Sequence, residues 1–195
     1  DLTGSVSNGI GPHTYAGTTS TTDQRRAVMA FDIAGSIPAG ATITGVVLHL
    51  NLSLESFQSP GASAMALHRL SADWGEGTSD AGIPGGTGAP STTNDATWIH
   101  RFFNTTTWTT VGGDYAGTSG ATIMVDNPGP YTWGSTVQMV SDAQSWLDTP
   151  ANNFGWILIG DEAAAFSARR FDSRENTNPL LRPELVVTFD PPVIP

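Results

Sequence analysis

Hydrophobic and polar positions alternate most clearly between Val46 and Leu54. Val46, Leu48, Leu50, Leu52 and Leu54 are apolar at a period of two, with His49, Asn51 and Ser53 between them. Successive side chains of an extended chain point to opposite faces, so this register predicts a long strand with one face in a core. Residues 62–70 predict a second strand, expected as the antiparallel neighbour of the first across the turn 55–61. Upstream, 27–33 reads as a strand, closed by a turn at Ile37-Pro38-Ala39-Gly40 where Pro38 fixes φ. The Gly-, Ser- and Thr-rich residues 1–22 read as loop or irregular edge strand.

Residues 75–95 read as a long loop around the run Ile83-Pro84-Gly85-Gly86-Thr87-Gly88-Ala89-Pro90. A loop of that length in a compact domain is functional or mobile. Short strands are expected at 96–103, 106–111, 121–125 and 131–133. One helix is expected over 136–147, where Val137, Val140, Gln144 and Leu147 recur at a spacing of three to four. Ser135 is its expected cap, and Asp148-Thr149-Pro150 its stop. Strands at 155–160, 165–171 and 185–189 complete the pattern. Many short strands, one short helix and Gly/Pro turns predict an all-β domain over 1–195: a jelly-roll β-sandwich of two antiparallel sheets, with a linker-like tail at 191–195.

Composition narrows the partners. Formal net charge is −10, and all eight basic residues are arginine. Nucleic acid is therefore a poor partner, since it requires a basic footprint. Anionic membranes are disfavoured likewise, and no stretch is long and apolar enough for membrane insertion. Acidic polysaccharides would be repelled at long range unless a cation or a local arginine cluster met them. Cysteine is absent, which removes disulfides, thiolate metal sites and cysteine nucleophiles.

Three residue groups carry candidate chemistry. Asp73, Glu76 and Asp80 share one turn-rich stretch, and Asp95 and Asp114 follow Gly- or Asn-rich loops. Hard cations take about six to eight oxygen ligands, so Asp73, Glu76, Asp95 and Asp114 are candidate ligands of a structural Ca2+. The same residue types also close Asx turns. Trp74, Trp98, Trp108 and Trp133 fall near strand ends or loops, where an exposed indole can pack on the C–H face of a sugar. About two of the four belong in a core by default, as do Trp146 and Trp156. Arg169, Arg170 and Arg174 interleave with Asp172 and Glu175; Arg170 and Arg174 can pair anions bidentately, or the set can be a structural ion-pair network involving Arg25 or Arg26. His13, His49, His68 and His100 are scattered, with His49 and His68 potential cross-strand neighbours. No nucleophile-elbow, zinc-protease or phosphate-loop motif is present.

The C-terminal third carries a resemblance. Gly160-Asp161-Glu162, then Ala168-Arg169-Arg170-Phe171-Asp172-Ser173-Arg174-Glu175, then Arg182-Pro183-Glu184-Leu185-Val186-Val187, resembles the end of the DNRLRE-domain family. Upstream, Arg26 to Ile33, Ile37 to Ile43, His68-Arg69-Leu70 with Asp73-Trp74-Gly75-Glu76-Gly77, Asp95-Ala96-Thr97-Trp98 and Gly112-Gly113-Asp114 extend the likeness over most of 25–190. That family comprises exported bacterial β-modules related to carbohydrate-binding modules with alginate-binding members. It implies a secreted or cell-surface jelly roll without catalytic activity. The tail Pro191-Pro192-Val193-Ile194-Pro195 looks like the start of a Pro-Glu-Pro sorting signal, without its Glu-Pro. The expected function is thus polysaccharide binding. The alternatives are a structural or adhesive subunit contacting neighbouring surface-protein subunits, and a polysaccharide-active enzyme.

Overall fold

A computed structural model describes residues 2–193. The strands, in chain order, are β1 (Val6–Ser7), β2 (His13–Thr18), β3 (Gln24–Met29), β4 (Thr42–Glu55), β5 (Ser63–Leu70), β6 (Ala89–Pro90), β7 (His100–Phe102), β8 (Thr106–Thr107), β9 (Tyr115–Val125), β10 (Gly129–Gly134), β11 (Trp156–Ile159), β12 (Arg169–Asp172) and β13 (Glu184–Asp190). The helix α1 spans Val137–Asp148. One large antiparallel sheet runs β10–β4–β12–β2–β3–β11–β5–β9, with β13 also on β4, and curls until β9 and β10 approach each other as a nearly closed barrel. Pairs β1–β6 and β7–β8 lie apart from it. Among the described residues no helix is long and apolar enough to cross a membrane.

The strand read from Val46 to Leu54 is β4, and its alternation places Val46, Leu48, Leu50 and Leu52 in the barrel core. Two irregularities break the period. Thr188 pairs with Gly45 but Phe189 with Ile43, so Thr44 is skipped and Ile43 points inward with Val46. Arg170 pairs with Leu54 but Phe171 with Leu52, so Ser53 is skipped. An extra residue on one strand reverses the faces beyond it. Leu54, expected on the apolar face, is accordingly exposed.

The strands 46–54 and 62–70 do not pair. β4 lies between β10 on one edge and β13 and β12 on the other, whereas β5 lies between β11 and β9. The segment 56–62 therefore carries the chain across the barrel and does not close a hairpin. Arg169 holds this crossing. It is fully buried, and its Nη2 donates to the Gly61 carbonyl at 2.6 Å and to Ser59 Oγ at 2.8 Å, with Glu55 Oε2 at 3.6 Å.

The N-terminal residues form more than a loop. β2 is an interior strand between β12 and β3, with Ala16, Gly17 and Thr18 buried. The first expected strand is displaced to β3, and Ile33 is buried in the turn after it. Strands expected at 96–103 and 106–111 shorten to β7 and β8, while β9 and β10 are longer than expected.

α1 occupies almost the expected residues but turns a different face inward. Thr136, not Ser135, is the cap, with its Oγ1 accepting from the Met139 amide at 3.1 Å; Ser135 Oγ instead accepts from the Val46 amide at 3.0 Å. Met139, Asp142, Ala143, Trp146 and Leu147 are buried, and Val137 is 90% exposed. A buried carboxylate sets this face. Asp142 accepts from Trp156 Nε1 and from Gln138 Nε2, each at 2.9 Å, while Trp146 packs edge-on against Trp156 with ring centroids 4.6 Å apart. Asp142→Ala removes the acceptor of a buried indole N–H. The expected loss is about 2 kcal/mol of unfolding free energy, read as a lower urea midpoint at unchanged slope.

Candidate functional site

Residues 71–114, between β5 and β9, fold back over the outer face of β3, β11 and β5. A second, smaller core forms beneath them from Leu70, Trp108 and Ile157, with Trp74, Val28, Ala96 and Tyr115 packed against it. β11 alternates between the two cores: Trp156 and Leu158 face the barrel interior, and Ile157 faces the excursion.

Beside this second core lies a cleft of about 190 Å3. Its floor comes from β2 and β3, including His13, Tyr15 and Arg25. Trp74, Gly75 and Glu76 form one wall, Trp98 and Gly112 another, and Gly85 to Gly88 a third. The Gly-rich run is therefore a strap along the cleft rather than a free loop. The Tyr15 hydroxyl donates to the Pro84 carbonyl, Arg25 Nε to the Gly86 carbonyl at 3.4 Å, and β6 pairs with β1. Opposite, Gly9 lies so close to the Glu76 carbonyl that any Cβ would collide with it.

Trp98 is held from behind. The Arg26 guanidinium sits 4.7 Å from the indole centroid. It donates to both oxygens of Glu162 at 2.6 and 2.7 Å and to the Gly112 carbonyl at 2.8 Å. Burial opposes the Arg26 charge, but the Glu162 carboxylate outweighs this and raises the pKa above its ordinary value. Arg25 lacks such a partner: burial lowers its pKa, and Asp23 opposes the shift only in part. Burial raises the Tyr15 phenol against the Arg170 charge.

The four candidate tryptophans separate into two pairs. Trp74 and Trp98 are half-buried and line the cleft. Trp133 is fully buried in the barrel with its Nε1 donating to the Met65 carbonyl, which removes it from any ligand surface. Trp108 is buried in the second core, donating to the Thr97 carbonyl, and reaches the cleft only from beneath.

The carboxylates expected as Ca2+ ligands each have partners within the protein. Asp73 accepts from the Trp74 amide, Asp114 from the Thr109 and Thr110 amides, and fully buried Asp95 from the Thr92 and Ser79 amides. Glu76 pairs with Arg174 at 2.7 Å. Among the described residues no group of three or more histidines and carboxylates is placed to hold a metal ion.

The arginine-rich segment also divides. Arg169 is the buried pin described above. Arg170 donates to Ser53 Oγ at 3.0 Å, outside the cleft. Arg174, beyond the end of β12, is filled by Glu76 and Glu175. Arg26 pairs with Glu162, not with the acids of that segment. His49 and His68 are not neighbours: His49 Nδ1 meets Thr132 Oγ1, and His68 Nδ1 meets the Ala116 carbonyl.

Tyr15, Arg25, Arg26 and His13 are the cleft residues that sequence reasoning did not assign to a site. His13 is buried, with Nε2 3.5 Å from Asp172 Oδ1, and Asn51 and Asn176 fix that carboxylate at 2.6 and 2.7 Å. Its Nδ1 is buried, with no hydrogen-bond partner among the described residues.

Neither a protein-family model nor a curated protein sequence matches the chain.

Burial, and secondarily Arg170, lowers the His13 pKa below its ordinary value of 6.5, opposed by Asp172. Below 6.5 the unfolded chain then binds the proton more readily than the folded one. Stability contributed by neutral His13 is complete above that pH and is lost as pH falls through the folded-state value. Thermal midpoints of the wild type should fall on acidification in this window, and His13→Gln should flatten that part of the profile.

Proposed function

We propose that this protein is a non-catalytic extracellular module that binds carbohydrate in the cleft beside the second core. The nearly closed sheet is read here as a jelly roll, its two halves meeting where Gly17 and Thr18 pair with Arg25 and Gln24. The observation that carries the reading is the convergence of two half-buried indoles, Trp74 and Trp98, with Tyr15 and Arg25 on one cleft. Aromatic faces offer apolar contact to sugar C–H groups, while a few fixed polar groups orient the hydroxyls. Trp98 is already immobilised by Arg26 and Glu162, so ligand binding would cost little ordering of that ring. The likeness to exported DNRLRE-domain modules supports the same reading.

Tryptophan fluorescence during titration with neutral and acidic polysaccharides, with and without Ca2+, tests it. A saturable change with one polymer is expected. Trp98→Ala should weaken that binding at least tenfold, about 1.4 kcal/mol, with unchanged far-ultraviolet circular dichroism. A flat response across the panel rejects the reading.

A second reading, a subunit of a surface assembly, draws on β13. This strand pairs only with β4, and among the described residues no strand occupies its other edge. An open edge can template another chain. Val186 is 44% exposed on this strand. Under this reading, sedimentation at rising concentration shows association that Val186→Lys abolishes; a monomer throughout rejects it.

A further inference from the structure

The free edge of β13 carries a readable pattern of backbone groups and charges. The Val46 amide donates to Ser135 Oγ, on the β10 side of β4. Val46 pairs with Val187, so the Val187 N–H and C=O point away from β4. Those of Leu185 do the same by the alternation of the ladder. Thr188, between turns of that pattern, directs its carbonyl to β4, where it accepts from Thr44 Oγ1 at 3.2 Å. Among the described residues no strand or turn bonds to the outward groups of Leu185 and Val187.

The core is also thinly covered along this edge. Ile43, Val46 and Leu48 of β4 are buried, whereas Leu185, Val187 and Phe189 beside them pack on the same core and stay partly exposed. On the outer face Arg182, Glu184, Val186, Thr188 and Asp190 are all exposed. Arg182 is extended, with φ −69° and ψ 152°, and so continues the alternation of the strand. Its Nε donates to the Asn176 carbonyl at 2.8 Å. Among the described residues neither Arg182 nor Asp190 has an ion-pair partner.

These charges discriminate between the ways a second copy could lie antiparallel on the edge with the apolar faces aligned. Centred on Val187, Glu184 would face the second copy's Asp190 at both ends, and like charges directly opposite are destabilising. Centred on Thr188, Val186 would face Asp190, and Pro191 would face the outward groups of Leu185 with no N–H to give. Centred on Val186, Arg182 faces Asp190 at both ends, Glu184 faces Thr188, and the outward groups of Leu185 meet those of Val187. Pro183 then meets Phe189 only at the end of the ladder.

We propose that two copies of this chain pair through β13, antiparallel about a two-fold axis at Val186, with Arg182 of each facing Asp190 of the other. The inference rests on the surface-subunit reading above and names its partner and register. The same patch serves both molecules, so the contact closes at a dimer and does not continue as a filament.

The test uses the intact protein. It contains no cysteine, so one introduced thiol reports the register. At the axis Val186 faces its own copy as a non-hydrogen-bonded pair, with Cα atoms about 4.5 Å apart, within the roughly 4.4–6.8 Å span of a disulfide. Val186→Cys should therefore give a disulfide-linked dimer on mild oxidation. Thr188→Cys, about 14 Å from its copy along the strand, should not. In sedimentation, Arg182→Asp or Asp190→Arg alone should raise the dimer dissociation constant at least about fivefold, because each sets like charges opposite at two symmetric positions. The two changes together should restore it. Association that ignores the charge exchange, crosslinks at Thr188 but not at Val186, or grows beyond a dimer overturns this pairing and leaves the surface-subunit reading standing. A wild-type monomer at every concentration overturns both.

Discussion

The backbone ladder on β4 is the constraint on which the rest depends. Its fourteen residues run along β13 and β12 in line on one edge, and residues 47–52 pair with β10 on the other. A strand committed on both edges cannot pair with the strand that follows it in sequence. β5 must therefore join the opposite part of the sheet, and the polar crossing between them requires an internal donor set. Arg169 supplies it from β12. The cost of burying a guanidinium is offset by the hydrogen bonds to Gly61, Ser59 and Ser167, with Glu55 nearby.

The same ladder positions the cleft. β12 on β4 brings β2 beside it, and β2 carries His13 and Tyr15. β3 follows at the corner and adds Arg25 and Arg26. The excursion 71–114 then has an apolar patch to cover, formed by Val28, Ile157 and Leu70, and covering it brings Trp74 and Trp98 to the rim. Rigidity at the rim comes from polar contacts: Asp95 gathers the Thr92 and Ser79 amides, and Arg26 spans Glu162, Gly112 and Trp98.

Much of this was legible in the sequence, and the failures have physical causes. Alternation identifies β4, and apolar segments identify β5, β11 and β13, because apolar patterning reports which residues are buried. It does not report which strand lies alongside, so the expected β4–β5 pairing is absent from the fold. Nor does it register a bulge, so Leu54 faces outward against its period. β2 escaped because its inward residues, Ala16 and Thr18, are small or polar and its neighbours are Gly and Ser. The helix was found but rotated, since a buried Asp142 violates the apolar template while satisfying Trp156. Trp74 and Trp98 were legible as loop aromatics. Tyr15, Arg25 and His13 were not, because they lie on strands whose outer face becomes a site only when a distant excursion folds over it.

That excursion has its own core, on the far side of the strands from the barrel interior. Ile157 belongs to one and its neighbours Trp156 and Leu158 to the other, separated only by the thickness of a sheet. Side chains in the two compartments do not share packing partners across that backbone, so substitutions in one are expected to combine additively with those in the other. Such partitioning lets lineages remodel the cleft by exchanging residues between β5 and β9 while the barrel sequence is held constant. Variation concentrated in 71–114 over a conserved frame is the evolutionary signature this architecture permits.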